Sequence, residues 1–397
     1  MQIYPATKNI RENGVRLDFL DWIRGLAVAS VFLFHCLRPV LGVNQMPWGS
    51  GFFRDFSAAP QLIPFFPLTY GSYGVAAFFV VSGFCVHLSF RRQPATRRWS
   101  VFACKRFYRI FPPYWLALAF FWLLPPLCAT PDPSGWLYDG ASHFFCLHNL
   151  STPSYAAINP SFWSIAVEVQ LYMIYPILFL VGSSLGFRRA FLLAAVCEFV
   201  IRGTEAILSA TGQDGMPICV TMSPFAYWGS WAIGTALAEE FLTHGNTSHW
   251  SRLLKNTRLD VVAALALLSP LTKVSLPFAF PLFALTTAIA IDRLLWDLAL
   301  SSRCFGFLSK LGVISYSIYL IHQPLLNIAP RVISKFAPVL YSDPLLKSLS
   351  VTALLCIIGI CVFAASSWCY RHIEKPAIEF GQTCCRVFTA DSRRNVL

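Results

Sequence analysis

Apolar runs long enough to cross a lipid bilayer recur from one end of this chain to the other, and a hydrocarbon layer roughly 30 Å thick is what such runs match. Stretches such as 190–200 and 351–365 show no alternation of period two, so the crossing element is a helix and not a barrel strand. The inventory agrees. Of 397 residues, 56% are hydrophobic and 13% charged; soluble domains carry about a quarter charged residues, and a water-facing surface cannot be assembled from this supply.

The pattern predicts an all-α polytopic membrane protein, a bundle of about ten spans at roughly 17–41, 71–90, 108–129, 161–182, 188–210, 222–242, 258–272, 276–296, 306–329 and 346–370. The seventh is short. Residues 1–380 read as a single transmembrane domain and 381–397 as a short cytoplasmic tail. The polar N-terminus through Asn13, with no small-residue cleavage site after the first apolar run, predicts that the first span is retained as a working helix.

An even number of spans puts both termini on one side, and the basic residues make that side cytoplasmic. Of the 31 Lys and Arg residues, only six (Arg38, Arg54, Lys273, Arg331, Lys335 and Lys347) then lie outside, and Arg24 and Arg202 fall within spans. The net charge of +12 is thus chiefly a topology signal, and nucleic acid is not an expected partner. The stretch 91–109 is denser than orientation needs, with Arg91, Arg92, Arg97, Arg98, Lys105, Arg106 and Arg109. Anionic lipid headgroups are one match for it, and a bound phosphate, gripped by guanidinium forks, is the other. The 13 cysteines form no CxxC pair and read as small core residues; Cys384 and Cys385 are an ordinary tail pair or a lipidation site. No metal site is expected.

Ionisable residues inside spans are costly, which makes them functional candidates. In the first span Arg24 and His35 are eleven residues apart, about three turns plus 20°, so both project from one face with a rise of roughly 16 Å between them. Asp21 precedes Arg24 by three residues and can pair with it. Pro39 has no N–H for the carbonyl of residue 35, leaving the backbone beside His35 partly unsatisfied. In the fourth span Ser164, Glu168 and Tyr172 form one polar stripe. The ninth holds Tyr316, Tyr319 and His322 before Pro324; the tyrosines also fit an aromatic interface belt. In the second, Gly71, Gly74 and Gly83 suit close helix packing, and Ser82 is a possible substrate contact with little case as a nucleophile.

Six segments, in order, resemble the acyltransferase 3 family of membrane O-acyltransferases: LDWIRGLAVASVFLFHCLRP (20–39), GVAAFFVVSGF (74–84), RFYRIFPPYW (106–115), SFWSIAVEVQLYMIYP (161–176), YSIYLIHQP (316–324) and YRHIEKP (370–376). Each is weak alone; together they are specific. Trp22 and Ile23 depart from the glycine and leucine common there, leaving the spacing of Arg24 and His35 intact. The extracytoplasmic esterase-like domain of some members has no counterpart, so transfer is expected to finish inside the membrane domain.

The resemblance implies acetyl-CoA or another acyl-CoA as donor substrate, no permanently bound cofactor, a hydroxyl of a glycan or similar acceptor, and a place in the bacterial inner membrane. On that footing the expected catalytic residues are His35 as general base, Glu168 to orient it, and His322, with His322 or Tyr316 donating to the oxyanion. Arg24, Arg106 and Arg109 are expected on the donor phosphates, and Ser82, Tyr114, Trp163, Ser164 and Tyr316 complete the expected substrate contacts. A proton-coupled transporter would use the same intramembrane His, Glu and Arg residues.

Overall fold

The computed structural model describes residues 17–41, 66–93, 98–124, 135–243, 254, 256–296 and 306–394, which are helices joined by turns, with no strand among them. Arg54, Arg97 and residues 125–129 of the third expected span lie outside the described residues, as does the end of the tail, 395–397. Each of the ten apolar stretches falls on helix. α1 is Asp18–Leu41, and α2 is Gly74–Arg91 with a helical lead-in from Phe66. α3 is Arg98–Leu123, α4 Trp136–Phe144, α5 Phe162–Leu185, α6 Phe187–Thr211 and α7 Trp228–Thr243. α8 is Leu259–Leu268, α9 Ala279–Trp296, α10 Gly306–Val313, α11 Ser315–Leu326, α12 Ile328–Phe336, α13 Pro344–Cys369 and α14 Lys375–Arg394. Among the described residues, five helical segments are long and apolar enough to cross a membrane: Asp18–Leu37, Phe66–Arg91, Phe162–Leu185, Leu276–Leu295 and Leu345–Arg386.

Three departures from the expected spans have local causes. α3 starts ten residues early, because the basic run from Arg98 is made of good helix formers interleaved with Trp99, Phe102 and Phe107. The ninth stretch is broken into α10, α11 and α12 at Ile314 and Asn327; Pro324 removes an internal hydrogen bond just before the second break, and Pro330 is tolerated in the first turn of α12. The expected tail is helix: α13 passes through one π-helical turn, Tyr370–Glu374, into α14. Glu374, Gly381 and Cys385, buried at helical spacing, give α14 an inward face. That face lies on α3, where Gly381 sits against Tyr108 and Cys104 Sγ meets the Gly381 carbonyl at 3.5 Å. Cys385, buried at 5% exposure, is a packing residue here.

Small residues let the central helices touch backbone to backbone. A Cβ on Gly83 of α2 would stand 2.2 Å from the Trp231 carbonyl of α7, and one on Gly234 would stand 2.1 Å from the Val80 carbonyl. Gly25 of α1 and Gly312 of α10 repeat the device. Such contacts replace the hydrophobic drive that lipid does not supply.

The loop between α3 and α5 carries a buried polar knot. His143 and His148 stack with centroids 3.8 Å apart and planes within 5°. Ser154 donates to Asp139, and His143 Nδ1 donates to the Asp139 carbonyl at 2.8 Å. Burial lowers His143 from its ordinary value to about 4 and takes His148 well below its own.

Two outcomes follow from this packing. Gly83→Ala forces a Cβ against a carbonyl that cannot yield, so it destabilises by about 1–3 kcal/mol, whereas Gly203→Ala, with nothing within 4 Å, does not; thermal unfolding in detergent reads both. The folded state holds both stacked histidines neutral while the unfolded chain protonates near pH 6.5, so stability present at neutral pH declines as pH falls from about 6.5 toward 4. Melting temperatures across that window show the decline, and His148→Phe flattens it.

Candidate functional site

α1, α2, α3, α5 and α11 converge on a cavity in the interior of the bundle. Its lining includes Arg24, Ser82, Cys85, Arg106, Arg109, Ser164, Glu168, Tyr172, Tyr316 and Tyr319. The cavity volume is ≈ 80 Å³. Three guanidiniums face it against one carboxylate, so the cavity favours anionic groups.

Arg24, Glu168 and Arg106 are each placed by a contact to another helix. Arg24 donates to Asp21 at 3.0 Å, the pairing expected from their spacing, and to Cys85 Sγ at 3.3 Å. Glu168 Oε1 accepts from Ser82 Oγ at 2.5 Å and from Tyr172 OH at 2.6 Å; Trp231 Nε1 donates to the same serine oxygen at 3.4 Å. Arg106 lies with its guanidinium 5.7 Å from the Tyr172 ring centroid, its Nε buried without a hydrogen-bond partner.

The histidines form a separate pair beside this cavity. His35 Nδ1 and His322 Nε2 are 3.0 Å apart. His322 is fully buried, and its Nδ1 faces the carbonyl oxygens of Ile318 at 3.1 Å and Tyr319 at 2.9 Å. A carbonyl only accepts, so Nδ1 of His322 carries a proton. In the neutral ring its Nε2 is then the acceptor, the proton between the rings belongs to His35 Nδ1, and His35 Nε2 carries the lone pair. Two backbone carbonyls thus fix the tautomer of His35 through a second imidazole.

This differs in detail from the sequence reading. Glu168 does not orient His35; its carboxylate is committed to Ser82 and Tyr172, and His322 stands in the orienting place. Tyr316 is not set to donate to an oxyanion, because its hydroxyl donates to the Ile110 carbonyl at 2.9 Å and so ties α11 to α3. Tyr316 and Tyr319 are not an interface belt: both line the cavity, and Tyr319 bonds Ser164 Oγ at 2.7 Å. His35 and His322 are outside the lining; Tyr319, which is in it, bonds Ser164 through its hydroxyl and His322 Nδ1 through its carbonyl. Tyr114 and Trp163 are elsewhere. Tyr114 is buried and donates to the His143 carbonyl at 2.8 Å, and the Trp163 ring packs 5.5 Å from Tyr227.

Sequence reasoning assigned no role to Glu374, although it lies in YRHIEKP. It is 1% exposed on the π-helical turn and accepts from Ser317 Oγ at 2.7 Å, which fastens the α13–α14 junction to the helix bearing His322. Also missed was the network of His87, which meets Tyr175 and Glu239 at 2.9 Å each, with Arg91 on the same Glu239 carboxylate. A signal existed for both, an ionisable residue within or beside an apolar run.

Comparison with known proteins supports the resemblance. The chain is similar to the acyltransferase MdmB of Streptomyces mycarofaciens, 26% identical over 213 residues, covering 51% of this chain and 51% of that protein. It is also similar to the putative peptidoglycan O-acetyltransferase YrhL of Bacillus subtilis (strain 168), 25% identical over 382 residues, covering 90% of this chain and 54% of that protein. The chain spans about half the length of these curated relatives. No solved structure matches it. A family model described as an acyltransferase domain matches residues 17–371, from the start of the first helix into the π-helical turn, and the chain therefore belongs to the acyltransferase 3 family.

Proposed function

We propose that this protein is a membrane-embedded acyltransferase that moves an acyl group, acetyl in the simplest case, from acyl-coenzyme A to a hydroxyl of a glycan or related acceptor. The observation that carries the reading is the His35–His322 pair, which leaves a lone pair on a defined nitrogen beside a cavity of three arginines. Ten spans with both termini in the cytoplasm would put the basic end of α3 on the donor side. The Bacillus relative, named as an O-acetyltransferase of peptidoglycan, supports a bacterial inner membrane and an envelope glycan as acceptor.

In this scheme Arg106 and Arg109, with Arg24 deeper, hold the donor phosphates, and the pantetheine arm extends toward His35. His35 Nε2 takes the proton of the acceptor hydroxyl as its oxygen attacks the thioester carbonyl. The charge that forms is shared with His322, whose Nε2 accepts from His35 Nδ1 while its own N–H rests on the Ile318 and Tyr319 carbonyls. The C–S bond then breaks, and the leaving sulfur takes back the proton. His322 plays the part that a carboxylate plays in a catalytic triad. Glu168 offsets part of the arginine charge and holds Ser82 and Tyr172 in the wall.

The reading makes three measurable demands. Full-length protein in membranes, given acetyl-coenzyme A and an envelope-glycan acceptor, releases free thiol in step with acylated product; a proton-coupled transporter releases none. His35→Ala lowers that rate by about 10²-fold or more, and His322→Ala lowers kcat by about tenfold or more with the acceptor KM unmoved; wild-type turnover in His35→Ala removes the base assignment. Arg106→Gln and Arg109→Gln each raise the apparent donor KM, by about tenfold, and change kcat little. Donor titrations superimposable on wild type would withdraw both arginines from the phosphates.

A further inference from the structure

A second cavity opens where the end of α2, the first turns of α3 and α14 meet. It is lined by Gln93, Val101, Lys105, Gln382, Cys385 and Arg386. Two cations and two amides are in the lining, Gln93 donating to the Ser89 carbonyl at 3.4 Å, and there is no carboxylate among the described lining residues. Burial lowers the Lys105 ammonium from its ordinary value, with Cys385 and Cys104 pushing against the shift and Arg106 with it. A half-buried ammonium without a counter-charge in its own pocket is stabilised by an anion. The walls are packed: Cys385 Sγ lies 3.9 Å from the Val101 carbonyl, and Cys104 Sγ lies 3.5 Å from the Gly381 carbonyl.

The pocket and the central cavity share one face of α3. Val101, Lys105 and Arg109 are spaced four residues apart, so their side chains follow a single stripe. Val101 and Lys105 line the outer pocket, and Arg109 lines the central cavity. The rise from Lys105 to Arg109 is about 6 Å, one turn. That is the order of separation at which a ribose holds a 3′-phosphate from a 5′-pyrophosphate.

We propose that the pocket formed by Lys105, Arg386, Gln93 and Gln382 binds the terminal 3′-phosphate of the coenzyme A donor, so that α14 is part of the nucleotide site. The inference rests on the reading of acyl-coenzyme A as donor. The pyrophosphate then falls at Arg109, one turn further along α3, with Arg106 beside it, and the pantetheine arm points into the cavity. A phosphomonoester dianion matches two cations flanked by amide donors, and a singly charged diester matches them less well.

The test compares coenzyme A with 3′-dephospho-coenzyme A, which lack only that phosphate between them, by calorimetric titration of the full-length protein in nanodiscs of zwitterionic lipid. Coenzyme A is expected to bind about tenfold more tightly. In Lys105→Gln/Arg386→Gln the ratio should fall to near one while the affinity for the dephospho form stays at its wild-type value, which also shows that the variant is folded. Equal affinities in the wild type, or an unchanged ratio in the variant, overturn the proposal and leave the donor reading standing. Binding of neither nucleotide overturns both. Nanodiscs containing phosphatidic acid form a further arm: a preserved ratio supports the nucleotide, and a ratio abolished by this lipid gives the pocket to a headgroup and overturns the assignment.

Discussion

Hydrocarbon offers a polar side chain no water, so a carboxylate or imidazole buried between helices is stabilised by partners on protein. The helix arrangement follows from where those partners are. Glu168 binds α5 to α2 through Ser82, His322 binds α11 to α1 through His35, and Glu374 binds the α13–α14 junction to α11 through Ser317. Glycine contacts such as Gly83 on Trp231 bring the backbones close enough for these short bonds to close. Packing and polar pairing are therefore one constraint: loosening a helix crossing would strand a carboxylate or an imidazole at a depth where neither is tolerated.

The outcome is a division of labour inside the bundle. In the proposed scheme the arginine-lined cavity holds negative charge and the histidine pair moves a proton, and Tyr319 contacts both: it lines the cavity, and its carbonyl meets His322. Fixing an imidazole tautomer through backbone carbonyls has a physical advantage in a membrane. A carboxylate in that place would add a full charge to be desolvated, whereas two carbonyl dipoles are already present in the helix and cost nothing further to bury.

Much of this was legible before any coordinates. Apolar run length located the helices, and helical spacing brought out the Asp21–Arg24 pair and the Ser164–Glu168–Tyr172 stripe, because both are local properties of a 3.6-residue turn. Partner choice across helices was not legible. Ser82 and Glu168 are 86 positions apart, and His35 and His322 are 287 apart. Which of two polar groups at similar depth meets a given imidazole depends on the rotation of each helix about its axis, and hydropathy says nothing about that. The early start of α3 and the helical tail were missed for another reason: basic residues ended the apolar windows while remaining good helix formers.

The single π-helical turn at Tyr370–Glu374 sets the phase of the rod that closes the chain. Such a turn accommodates one residue more than an α-helix, and one residue is about 100° of rotation. Upstream, α13 packs on α11; downstream, α14 presents Gly381 and Cys385 to α3. The residue that the turn adds rotates α14 by about 100° relative to α13, so the azimuth of Lys375–Arg394 is set by a bulge and not by a loop.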